Sequence, residues 1–336
     1  VDTAAIVINA QSGIEVNTRR VFEEAGKAGV GRILIINKMD GENIDYPALV
    51  STIQSLWGPA CVPLLVPKGH GADFQGVVNT LQTDADSSGA LLVPEEIREP
   101  LIESIIEVDE AVMERYFEGT QPSDEELSKL LVRAIAQRSL IPILCCSGKT
   151  EVGLSELLDA LATCCLSPAD LPRKVTQDGE EIELKPDSAG PLSALVFKTR
   201  IDPFVQKLSF LRLFSGTLKK DQVVNASTSR KGIKMGQLLE VQAAETNPVE
   251  EAGPGDIVAV AKMDDLHTGT VLGDFALPKM QFPTPMVGLA VSPKSRGDET
   301  KLSGALGKVV EEDPTFHLDR DAQTKEMVIT GMSELH

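Results

Sequence analysis

The sequence predicts an α/β domain built on a parallel sheet, then a small antiparallel β domain, then an incomplete α+β domain. Three observations predict this. Over the first 170 residues, apolar runs of strand length alternate with segments of helical periodicity. From Leu192 the helical signals give way to short alternating strands, separated by turns such as Ser215-Gly216 and the Gly-rich stretch at 253–255. After Phe282-Pro283 the order becomes strand, helix, strand, strand, the first two-thirds of a split βαβ unit.

The elements follow in order. Residues 4–10 (AAIVINA) are continuously apolar, as expected of a parallel strand covered on both faces. Residues 18–28 have helical periodicity and end at Gly29. Residues 32–37 (RILIIN) predict a second buried strand and 46–56 a second helix. Residues 141–146 (IPILCC) predict a third strand, and 153–165 a third helix stopped by Ser167-Pro168. Between the second and third strands lies an insertion, about 60–140. It opens with strand-like pieces (CVPLLVP, GVVNTL) and then turns helical and acidic. Ser123 with Glu126 three residues on reads as a capping box. The acidic residues are either the solvated face of amphipathic helices or a surface for a partner.

Residues 171–190, inside a polar stretch rich in Pro, Gly and Asp, read as a linker. The antiparallel domain then covers 191–280 and reads as a small β-barrel, and the partial ferredoxin-like α+β unit covers 284–336. In the barrel the predicted strands are LSALVFKTR, KLSFLRLFSGTLK, DQVVNAS, IKMGQLLEV and GDIVAVAKM. In the last unit PMVGLAVSPK, TFHLDR and EMVITGM are strands and DETKLSGALGKVVEED is a helix.

Bulk properties narrow the function. The 336 residues are 42% hydrophobic and 24% charged, ordinary for a globular chain, and no apolar run is long enough to span a membrane. The net charge of -18 disfavours coating a phosphate backbone, which needs clustered Lys and Arg. It fits either plain solubility or a basic protein partner. The five cysteines are odd in number and lack C-x-x-C spacing, so they read as buried, reduced thiols of a cytosolic protein.

The chemistry is written where strands end. RILIIN runs directly into Asn37-Lys38-Met39-Asp40. Ligands of open α/β sheets bind beyond the carboxyl ends of the strands. There, a carboxylate can accept two hydrogen bonds from the ring N–H and exocyclic amine of guanine. Adenine lacks that donor pair. The Lys38 stem can cover a base face and the Asn37 amide can pin neighbouring loops. The other candidate is Gly148-Lys149-Thr150, the ending of a phosphate loop. A phosphate loop requires G-x-x-x-x-G-K-[ST], and the position five before Gly148 is Ile143, inside a strand. The match is therefore false. Ser147, Gly148 and Lys149 instead follow the next parallel strand after NKMD and read as a second guanine-contacting loop, small enough for close backbone approach.

With these motifs in place, the chain resembles the elongation factor G family of translational GTPases over essentially its whole length. NKMD and CCSGKTEVG are similar to that family's fourth and fifth guanine-nucleotide motifs, with Asn37 and Ser147 separated by 110 positions. IDPFVQKLSFLRLFSGTL and AGPGDIVAVAKMDDLHTGTVLGD resemble its barrel domain. PKMQFPTPMVGLAVSPK, LSGALGKVVEEDPTFHLDRD and ITGMSELH resemble the domain after it. Departures occur at Gln206, Thr270-Val271, Ser292 and Ser333, and MDGENIDY looks more like the divergent factor-G-like paralogues. The resemblance implies a P-loop-type GTPase domain over 1–170, with GTP or GDP and Mg2+ as cofactors of the intact protein. It implies the ribosome as partner, with the acidic insertion facing the stalk protein. It implies neither a membrane nor a sequence-specific nucleic acid. The family's phosphate loop, first switch and Asp-x-Pro-Gly-His second switch precede the strand at Val1, so this sequence is expected to be a fragment without its own hydrolytic machinery and without a metal site. His70, His267, His317 and His336 match none of those catalytic positions. An exposed apolar edge at the first strand is expected to favour self-association. Alternatives are a ribosomal-protection or release-factor-type GTPase, or a non-hydrolysing ribosome-binding scaffold.

Overall fold

The computed structural model describes residues 1–336 apart from 84, 172, 178 and 203–205, and apart from the side chains of Gln206, Arg296 and Glu299. The Pro-Phe-Val part of the IDPFV motif and the Gln206 departure thus lie outside the described residues. The chain divides into two compact units, Val1–Leu171 and Pro172–His336.

The first unit runs β1 (Thr3–Asn9), α1 (Val16–Lys27), β2 (Gly31–Asn37), α2 (Tyr46–Trp57), β3 (Cys61–Pro63), β4 (Leu65–Lys68) and β5 (Gly76–Asn79). It continues with α3 (Pro94–Ile106), α4 (Glu110–Phe117), α5 (Asp124–Gln137), β6 (Ile141–Cys145) and α6 (Leu154–Cys164). Four strands form a parallel sheet in the order β1-β2-β6-β3. β2 and β6 lie in the middle, and their aliphatic runs are buried throughout: Ile33, Leu34, Ile36, Ile143 and Leu144 are wholly inaccessible. An added Cβ at Gly31 would fall 2.9 Å from the Leu166 side chain and 3.0 Å from Ile135, so β2 must begin on glycine. Helices close the sheet: Phe22 of α1 stacks on Trp57 of α2 at 3.9 Å, and Arg32 lies 4.3 Å over the Phe22 ring.

Two sequence expectations are corrected here. β1 is not covered on both faces. Ile6 and Ile8 are buried, but Ala5 and Val7 point to the opposite, uncovered face, and Val7 is 58% exposed; β1 also ends the sheet, pairing only with β2. Cys61–Pro63, read as the start of the insertion, is a strand of the main sheet. The insertion proper is the antiparallel β4–β5 hairpin and helices α3 to α5. Its capping box is present: Ser123 Oγ accepts from the Glu126 amide at 3.3 Å and the Ser123 amide donates to Glu126 Oε2 at 3.2 Å.

All five cysteines are reduced. Cys61, Cys145, Cys146 and Cys164 are buried, but Cys165 is exposed, which corrects the expectation of five buried thiols. It lies just past the end of α6, where neighbouring residues face opposite ways. Burial pushes the Cys61 thiol up to about 11 and Cys164 to about 12.

The second unit opens with a hairpin, β7 (Arg173–Gln177) with β8 (Glu180–Leu184). The polar stretch read as a linker therefore carries structure. Val175 and Leu184 pack with Phe275, and Thr176 and Ala276 exchange backbone hydrogen bonds of 2.9 and 2.8 Å. Next come β9 (Ser193–Asp202), β10 (Gln206–Ser215), β11 (Leu218–Lys219), β12 (Val223–Ala226), β13 (Ser229–Lys234) and β14 (Leu238–Gln242). β15 (Glu245–Val249), β16 (Glu251–Ala252), β17 (Ile257–Ala261) and β18 (Val271–Gly273) complete the domain. Eight of them form one antiparallel sheet, β13-β12-β18-β9-β10-β17-β14-β15. Val224 and Ile233 from one end of that sheet share a single apolar cluster with Leu238 from near the other, as a rolled, barrel-like sheet requires. KLSFLRLFSGTLK is not one strand, since Gly216 breaks it into β10 and β11. Likewise IKMGQLLEV divides between β13 and β14. Gly273 has φ +97°, and a Cβ there would collide with the Leu192 carbonyl, so β18 ends where only glycine fits. The last segment has β19 (Val287–Val291), α7 (Glu299–Glu312), β20 (His317–Arg320) and β21 (Met327–Gly331), with sheet order β19-β21-β20.

Candidate nucleotide-base site

Because β2 and β6 are adjacent and parallel, the loops leaving their carboxyl ends meet. One loop carries Asn37, Lys38 and Asp40, and the other carries Ser147, Gly148 and Lys149. The structure brings all six predicted residues to this one place.

Asn37 is the cross-link. Its Oδ1 accepts from the Gly148 amide at 2.9 Å and from the Lys38 amide at 2.7 Å. The Met39 amide adds a bond to the Cys146 carbonyl at 3.3 Å, and the Gly71 amide donates to the Met39 carbonyl at 2.8 Å. Lys38 turns the chain with φ +67°, a strained conformation for a residue with a side chain, and its own side chain is exposed.

Asp40 is the chemical centre. Ser147 is fully buried, and its hydroxyl donates to Asp40 Oδ1 at 2.6 Å while accepting the Thr150 amide at 3.1 Å. The Ser147 amide donates to the Val152 carbonyl at 3.0 Å, so the hydroxyl is fixed from both sides. Among the described residues, Asp40 Oδ2 has only the Lys149 ammonium, 4.0 Å away on a side chain that is 84% exposed. A pair that loose and solvated contributes little. The carboxylate is 84% shielded from water, with one oxygen anchored and the other available to a donor.

Gly148 is the second half of the cradle. A Cβ added there would make only ordinary contact, 3.7 Å from the Asn37 amide, so packing inside the chain does not demand glycine. The Gly148 amide is already spent on Asn37, so Gly148-Lys149-Thr150 does not form the row of free N–H groups that a phosphate nest needs. Sequence reasoning missed the supports: Thr150, Val152, Cys146 and Gly71 act through backbone atoms, which carry no residue-type signature. Gln11 was missed as well. Its Nε2 donates to the Glu42 carbonyl at 3.0 Å and braces the loop after Asp40.

The Asp40 carboxylate is an acceptor of the kind that suits a planar base with two adjacent N–H groups. Among the described residues no group of three His, Cys, Asp or Glu is placed to hold a metal. No helix among the described residues is long and apolar enough to cross a membrane.

Comparison with known proteins gives matches along the whole chain. The family model for the elongation factor Tu GTP binding domain matches residues 1–167, that for elongation factor G domain 2 matches 191–275, and that for elongation factor G domain III matches 282–336. Elongation factor G of Thermotoga maritima is 35% identical over the whole chain, which covers 52% of that relative. The protein of the same name from Thermotoga neapolitana is 34% identical, with 51% of its length covered. A solved structure of a Thermus thermophilus protein superposes over the whole chain with a TM-score of 0.83 and 29% identity, and 51% of that protein is covered. The chain thus spans about half the length of the curated relatives it matches. The order of the three matched domains, the whole-chain identity and the meeting of the NKMD and SGK loops place the chain in the elongation factor G family.

Proposed function

We propose that this chain supplies the guanine-recognition part of a ribosome-associated translational GTPase that works in the cytoplasm, its parent protein hydrolysing GTP to drive translocation or ribosome recycling. The observation that carries the reading is the Asp40 carboxylate, with Oδ1 fixed by Ser147 and Oδ2 available. In this reading guanine gives its ring N–H and exocyclic amine to Asp40, the Lys38 stem covers one base face, and the Lys149 amide approaches the ring carbonyl, the Ser147 and Gly148 amides being held by Val152 and Asn37. Asn37 holds the two loops in register. Bound Mg2+ would neutralise phosphate charge in the parent protein. The 336 residues contain no G-x-x-x-x-G-K-[ST], so base recognition, not turnover, is what they contribute.

The acidic insertion supports a second part of the proposal. Glu96, Glu99 and Glu103 of α3 are exposed, and such a surface suits a basic partner such as the ribosomal stalk protein.

Calorimetry with GDP, IDP and ADP on the full 336-residue chain tests the base reading. GDP binds more tightly than IDP by roughly tenfold to a hundredfold, because IDP lacks one donor to the charged carboxylate. ADP binds more weakly still, Asp40→Asn abolishes the preference, and the chain releases no phosphate from GTP even with ribosomes. Equal affinity for the three nucleotides would overturn the assignment of Asp40.

A further inference from the structure

The C-terminal end of α7 carries Glu311 and Glu312, with no basic residue in its last turn. Carboxylates there oppose the helix dipole, so their place needs another source of stabilisation. That source is the barrel. Lys207 of β10 reaches Glu311 Oε1 at 2.8 Å, and the pair is largely buried, the side chains being 11% and 24% exposed. His267 Nδ1 lies 2.9 Å from both Glu311 oxygens. The Ile201 amide, at the end of β9, donates to Glu312 Oε1 at 2.9 Å.

The barrel side is pre-set. Lys207 Nζ also donates to the Asp264 carbonyl at 3.3 Å, and the His267 turn is closed by its own amide on Thr270 Oγ1 at 3.0 Å. Among the described residues apolar attachment is sparse. None of the three apolar clusters contains a residue beyond Leu277. Among the described residues of 282–336 only Gly331 is buried, and residues 277–286 have no helix or strand. Charged contacts at one helix end therefore dominate the docking of this segment.

We propose that Lys207, His267 and Glu311, with the Glu312–Ile201 bond, form a charge latch that docks the α7 domain on the barrel and frees it as an intact body when broken. A largely buried charge that loses its partner is strongly disfavoured, so the latch has two states and few between.

Backbone amide exchange and 15N relaxation on the full chain test this. In Glu311→Gln, exchange of the Ile201 amide accelerates by roughly tenfold or more, while barrel-core amides such as Val196 and Leu211 keep their protection. Residues 299–312 then tumble separately from the barrel with helical shifts retained. The charge swap Lys207→Glu with Glu311→Lys restores both slow exchange and common tumbling. The latch is refuted if Ile201 exchange stays unchanged in Glu311→Gln, if barrel amides accelerate with it, if α7 unfolds, or if the swap fails to restore docking.

Discussion

Ser147 limits what Asp40 can do. A carboxylate with both oxygens free could rotate and greet any cation, whereas one oxygen tied at 2.6 Å to a buried hydroxyl leaves a single direction for recognition. Ser147→Ala should therefore weaken GDP binding by roughly tenfold, the worth of one charge-assisted hydrogen bond, and narrow the gap between GDP and IDP. Calorimetry reads both effects, and unchanged selectivity would show that Asp40 is oriented by something else. Much of this site was legible in the sequence, because a strand ending in Asn-x-x-Asp and a small loop after the next strand carry side-chain chemistry. The rest was not. The Val152 carbonyl that fixes the Ser147 amide and the Gly71 amide on Met39 are backbone partners, and any residue supplies them. Nor could spacing reveal that Cys165 faces outward while Cys164 beside it is buried.

Strands and helices read with uneven clarity, for physical reasons. β2 and β6 were plain, since a strand buried on both faces is a run of aliphatic residues. β7 and β8 were hidden, because Arg173–Gln177 and Glu180–Leu184 offer few apolar residues among charges, and their small core is completed by Phe275, about a hundred positions away. β1 read as a sheet edge and as covered on both faces; it is the edge, but one face is open. That edge has a consequence. With Val7 outward and, among the described residues, no second strand partner, β1 presents unpaired backbone and apolar side chains together. If this edge pairs with a second copy of the chain, light scattering at rising concentration should show dimers, and Val7→Lys should reduce them. A monomer at every concentration would count against it. α3 makes the opposite kind of surface. Reversing Glu96, Glu99 and Glu103 to Lys should slow association with ribosomes at low salt by about tenfold, with little effect on dissociation. Identical association rates would remove the insertion from the recruitment step.

The whole chain is built on two main cores, one in each unit, with the small Val175–Leu184–Phe275 cluster beside the second. Residues of Val1–Leu171 close on an apolar cluster that includes Ile33, Leu34, Ile105, Leu131 and Leu144, all fully buried. Pro172–His336 has its own, around Val196, Leu211, Leu238 and Val260. The domain order was legible because the period of the apolar pattern changes from helix-and-strand to strand alone near Leu192. The weakness of the last segment was not, since sequence pattern shows which residues are apolar and not how many neighbours cover them. Cooperative unfolding follows cores, because burial is what makes one part of a chain depend on another. Calorimetry should therefore resolve two transitions. If GDP binds the first unit through Asp40, as proposed, then at a hundred times its dissociation constant it should stabilise that transition by about 2.7 kcal/mol and leave the other in place. One transition that shifts as a whole would mean that the two cores unfold as a single cooperative body.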